Sequence, residues 1–255
     1  MFVDGFTSGF AAYHVVKDRE AAFRAKFEKL PTYKREVEHY KANIGKVTSV
    51  DALVKDRRLL MVALSAFQLE GEVDKKAMIK KIITEDPADK KSLGNRLLDP
   101  RWKKFATAFH SLASDGGAEI RKQASIDNVL AGHQTNEFEK AVGESNESIR
   151  EAMFFKRMAP GMTKTIDFLG NQVTAKVVRT VFGLPLAFSA LDVKQQVSML
   201  EKRGFDPAKL SSPKELDKFV DRYLSAADRE AAGSTGGSPL LALFPSSGSG
   251  LNILV

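Results

Sequence analysis

Residues 60–69 read LMVALSAFQL and residues 175–184 read AKVVRTVFGL. In both, apolar side chains recur at steps of three and four, the period of a helix with one buried face. Both finish on Phe-x-Leu, as Phe67 and Leu69 in one run and Phe182 and Leu184 in the other. A gapless alignment at an offset of 115 also places Lys41 on Lys156, Thr48 on Thr163 and Val62 on Val177. The apolar register follows, with Ile44 on Ala159, Val47 on Met162 and Leu53 on Phe168, and the first helix breaks at Gly45 in one copy and Pro160 in the other. Each copy continues into an amphipathic segment, KKAMIKKIIT or VKQQVSMLEKR, and then a Ser-led helix start, SLGNRLL or SPKELDKFV. The reading is one helical unit used twice, each copy covering the other's apolar face.

The rest of the chain reads the same way. Phe6, Phe10, Tyr13 and Val16, then Phe23, Phe27 and Leu30, form one stripe of a long first helix. Pro31 suits the first turn of a second helix carrying Val37, Tyr40 and Ile44. Thr48 and Asp51 have capping-box spacing. Pro100 opens RWKKFATAFHSL, with Trp102, Phe105 and Phe109 on one face, and SDGGA at 114–118 is an internal boundary. The long stretch from Ala118 to Val142 has a thinner apolar stripe, suited to bridging two halves. Nowhere do β-branched residues alternate between glycine turns, so the fold class is all-α. The expected division is a basic helical half over 1–111, a connecting segment over 112–145, a second helical half over 146–230 and a flexible Gly/Ser/Leu tail over 231–255.

A chain of 255 residues with 43% apolar and 28% charged residues has the balance of a soluble globular protein. Without cysteine it can form no disulfide, no thiolate nucleophile and no cysteine-held zinc or iron–sulfur site. The opening MFVDGFTSGFAAYHVV lacks a basic leader and does not read as a secretory signal, and no apolar run reaches membrane-span length. A cytoplasmic location is expected. The net charge of +7 sits in residues 1–110. An alternative function follows from it: a basic helical module binding nucleic acid or anionic lipid through that half. Acids interleave with the bases in KDRE and YKREVEH, which argues for a solvated face instead.

Glu36 and His39 have the Glu-x-x-His spacing of a di-iron bundle, but that site needs the motif twice. Ala11, Thr107 and Leu130 stand three positions before His14, His110 and His133, so the second half-site is missing. There is no Gly-x-Ser-x-Gly elbow, and PGMTKT at 160–165 lacks the frame of a phosphate loop. The sequence assigns no catalytic, metal or cofactor-binding residue, and the expectation is a protein that is not an enzyme. After Glu230 come 25 residues without charge, AAGSTGGSPLLALFPSSGSGLNILV. Their apolar clusters, with Leu240, Leu241, Leu243 and Phe244 in one and Leu251, Ile253 and Leu254 in the other, read as partner-binding elements. Phe6, Phe10 and Tyr13 of the aromatic first helix are the other candidates.

The runs NIGKVTSVDALVKDRRLLMVAL, KFATAF, IREAMFFKRMAP and AKVVRTVFGLP resemble a bacterial family known as domain of unknown function number 1217. The resemblance spans about residues 5–226. It implies an all-helical fold. Members occur chiefly in alphaproteobacteria, often beside flagellar genes, which implies a structural or accessory role at the flagellum with flagellar proteins as partners; self-association is instead an expectation from the aromatic stripe of the first helix. The resemblance supplies no functional residues.

Overall fold

The structure, a computed structural model, describes residue 5 and residues 8–235; Phe6 and the tail clusters from Leu240 onward lie outside the described residues. Fifteen α-helices, short 3-10 turns and no strand occur among the described residues. In chain order they are α1 (Gly9–Asp18), α2 (Glu20–Phe27), α3 (Pro31–Asn43), α4 (Val50–Lys55), α5 (Arg57–Ser65), α6 (Lys76–Thr84), α7 (Leu93–Arg96) and α8 (Pro100–Phe109). Then follow α9 (Ser111–Ser114), α10 (Gln123–Gly143), α11 (Glu147–Met158), α12 (Thr165–Leu169), α13 (Gln172–Val181), α14 (Val193–Lys202) and α15 (Pro213–Thr235).

The two similar sequence runs end α5 and α13 in the same way. Gln68 has φ 58° and Gly183 has φ 60°, the left-handed conformation that stops a helix. The Gln68 amide donates to the Ser65 carbonyl and the Leu69 amide reaches back to the Leu64 carbonyl, each at 2.9 Å. Gly183 and Leu184 repeat this on Thr180 and Arg179, at 3.1 and 3.0 Å. This is a Schellman cap: the following Leu is drawn inward, and Leu69 and Leu184 are both buried. The correspondence extends beyond the caps. α3 ends at Asn43 and α11 at Met158, the next 3-10 turns are Ile44–Lys46 and Ala159–Gly161, and α5 and α13 begin at Arg57 and Gln172, all 115 apart.

Two apolar cores result. One gathers Tyr40, Leu53, Leu60, Ile79, Phe105, Phe109 and their neighbours from α3 to α9. The other gathers Phe155, Phe168, Val177, Phe205, Val220 and Leu224 from α11 to α15. α10 serves both, placing Val129 and Leu130 in the first and Phe138 and Val142 in the second. Where α10 crosses α5 the backbones nearly touch: a Cβ on Gly132 would stand 2.5 Å from the Ala66 carbonyl oxygen.

The N-terminal helix departs from the expected layout. The single long helix is broken at Arg19 into α1 and α2. Both leave the first half: Ala12, Tyr13, Val16 and Phe27 belong to the core of residues 138–224. The division at residue 111 therefore does not follow the cores. The cause is polar as well as apolar. Asp228 on α15 accepts from Ser8 Oγ at 2.7 Å and from the Gly9 and Phe10 amides at 2.7 and 3.2 Å, so a carboxylate caps the positive end of α1. Lys17 and His14 continue the seam onto Asp217 and Asp221. α4 also starts one residue later than the Thr48 reading, with Ser49 Oγ accepting from the Ala52 amide at 3.2 Å.

Candidate functional site

α3, α5 and α10 meet along a cleft of about 290 Å³ lined by Glu36, His39, Arg58, Ser65, His133 and Glu137 among others. The helical period puts His133, Asn136 and Glu139 on one face of α10, and all three are buried. That face meets Ser65 and Gln68 at the C-terminal end of α5. His133 Nδ1 lies 2.9 Å from Ser65 Oγ and Nε2 lies 3.1 Å from Glu36 Oε2. Asn136 Nδ2 donates to Ser65 Oγ at 3.0 Å, and Glu137 Oε1 lies 2.9 Å from the same oxygen. Tyr33 stacks on the His133 ring with centroids 5.7 Å apart, and burial pushes its phenol up to about 12.

The hydrogen bond from His133 holds the Glu36 carboxyl below its usual range, against a smaller opposing effect of burial. A carboxylate only accepts, so ring Nε2 carries a proton. Ser, His and acid thus come together in the order of a hydrolase triad, but Ser65 is only 3% exposed and its oxygen has three partners. The geometry is that of a polar clamp holding three helices in register.

A second clamp lies beside it. Glu139, 2% exposed, accepts two bonds from the Arg157 guanidinium, each at 3.0 Å, and one from Gln68 Nε2 at 2.9 Å. Burial pushes its carboxyl up despite Arg157. This set joins α5, α10 and α11, and hence the two cores.

The other half carries a different cluster at the 115-residue offset, in which Thr180 Oγ1 is buried without a hydrogen-bond partner. Glu151 stands where Glu36 does and Thr180 where Ser65 does. Glu151 accepts from Tyr223 on α15 and from Lys176 at 2.6 Å. Sequence reasoning missed both clusters. The visible signal was Glu36 with Glu151 and Ser65 with Thr180, polar residues sharing the offset of the apolar register.

Of the residues singled out from sequence, Tyr13 is buried against α15 and Phe10 is 36% exposed. His39 does not join Glu36 in a ligand set; its Nε2 lies 3.6 Å from Asp56. No cluster of three or more histidine or acidic side chains placed to hold a metal occurs among the described residues. No described helix is long and apolar enough to cross a membrane.

Residues 66–216 match the model of a family described as protein of unknown function (DUF1217). The chain belongs to this family. It is also similar to the X-ray crystal structure of protein AGR_C_984 from Agrobacterium tumefaciens, at 30% identity and a TM-score of 0.77, covering 88% of this chain and 94% of that one. No curated protein matches. The stretch shared with the DUF1217 model contains Gln68, His133, Glu139 and Arg157 and the whole Schellman cap of α13, and begins after Glu36 and Ser65.

Proposed function

We propose that the protein acts by binding other proteins, as a structural or accessory component of the bacterial flagellum. One observation carries the binding part: of the five large apolar side chains exposed among the described residues, Leu191 and Met199 line one cleft at α14, and Leu186 stands on the 3-10 turn that precedes it. Clustered apolar exposure of this kind marks a surface that another molecule covers. The 115-residue offset makes the cluster more telling. α6 occupies the corresponding place, packs against α4, α8 and α9, and buries Ile79, Ile82 and Ile83. α14 packs chiefly against α12 and buries only Leu200. The matching helix bounds support the further reading that the two halves arose by duplication, and that the second copy left this face open.

The flagellar setting rests on the gene neighbourhood that the family resemblance implies. Affinity purification of the full chain from cells assembling flagella tests the whole reading. Co-purification of flagellar proteins, lost in a Leu186→Glu/Leu191→Glu/Met199→Glu variant that melts like the parent, supports it. An identical set of proteins with both baits counts against it.

A further inference from the structure

Resting on that reading, we infer that the α14 face receives an acidic amphipathic segment of another protein. Leu191 and Met199 line one side of the helix, flanked by Lys194 and Lys202, and no acidic side chain lines that cleft. The two lysines are eight residues apart, about 12 Å along the helix. Across the helix, Lys164 stands beside a second apolar wall formed by Ile166, Val193 and Val197, and the acid there, Glu201, is engaged by Thr165 Oγ1 at 3.0 Å.

The charges are what select the occupant. Lys17 and Lys156 share Asp217, and Lys176 meets Glu151. Lys164, Lys194 and Lys202 have no such partner among the described residues. An occupant that buries the leucine and methionine and also meets these ammonium groups needs apolar anchors at helical spacing with Asp or Glu beside them. The chain's own residues 231–255 carry apolar clusters but no charged side chain, so they would leave the lysines unanswered.

The test is a photo-crosslinking residue in place of Ser198 in the full chain, irradiated in cells that make the protein, with the adducts sequenced. A matched probe at the exposed Ala21 serves as reference. The expected adduct is a segment of a different protein with acids flanking apolar residues. Its yield should fall about fivefold or more in a Lys194→Glu/Lys202→Glu background of unchanged melting temperature, two exposed ion pairs at about 0.5 kcal/mol each setting that lower bound. Adducts with an uncharged or basic segment, a second copy of this chain or lipid overturn the inference, as does a yield no higher than from Ala21. Protein adducts found from Ala21 alone leave the binding reading standing and remove only this surface. No protein adduct from either probe counts against both.

Discussion

Gln68 donates its side-chain amide to Glu139 at 2.9 Å while its own backbone sits at φ 58°. The corresponding position in the second half is Gly183, which adopts the same backbone without strain. A non-glycine residue is thus tolerated at the first cap because its side chain ties α5 to the bridging helix.

Replacing Gln68 separates the two effects. Gln68→Gly relieves about 1 kcal/mol of left-handed strain and loses a bond to a charged acceptor worth about 1.5–3 kcal/mol. Its net loss should be about 1 kcal/mol. Gln68→Ala keeps the strain and loses the bond, and should cost about 2 kcal/mol. Urea unfolding of the parent and both variants checks this: equal stabilities of the two variants would mean that the strain contributes little, and a Gln68→Ala variant as stable as the parent would mean that the bond contributes little.

Gly132→Ala tests the crossing of α5 and α10. The added methyl group meets a backbone carbonyl, which cannot rotate away as a side chain can. A loss of about 1–3 kcal/mol is expected, seen as a lower denaturation midpoint with an unchanged slope.

Asp228→Ala should loosen α1 locally. It removes the acceptor of the Ser8 hydroxyl and of the Gly9 and Phe10 amides, a capping loss of about 0.5–2 kcal/mol. Hydrogen exchange of α1 amides should quicken while amides of α4 to α8 keep their protection, because those helices belong to the other core.

Acid stability should depend on Asp217 and Glu36. Lys156 first, and then Lys17, hold the Asp217 carboxyl below its usual range; His133 does the same for Glu36. A carboxyl whose folded value is depressed stabilises the fold above its unfolded value, and that contribution is lost as pH falls through the folded value. Melting temperatures of Asp217→Asn and Glu36→Gln should therefore lie below the parent at pH 6–7. The gaps should close as pH falls from about 5 toward 3. A gap that persists unchanged at low pH would contradict the assignment.

Much of this architecture was legible because apolar spacing is a local property. LMVALSAFQL and AKVVRTVFGL show their helices and their common ending directly, and the thin stripe of residues 118–142 announced a helix serving two cores. The placement of α1 was not legible. Tyr13 and Val16 would satisfy any apolar groove, and the choice of α15 depends on Asp217, Asp221 and Asp228, some 200 residues away. The clamp of Glu36, Ser65 and His133 was hidden for the same reason, its members coming from three helices. The open face of α14 was hidden differently. Its apolar residues look as buriable as those of α6, and only the packing shows that one helix is covered and the other is not.

The central claim is that the α14 face is where the protein acts. The most direct measurement is swimming of a strain lacking the gene and complemented with Leu186→Glu/Leu191→Glu/Met199→Glu, at parental abundance and melting temperature. Motility should not be restored. Full restoration by this folded variant would contradict it.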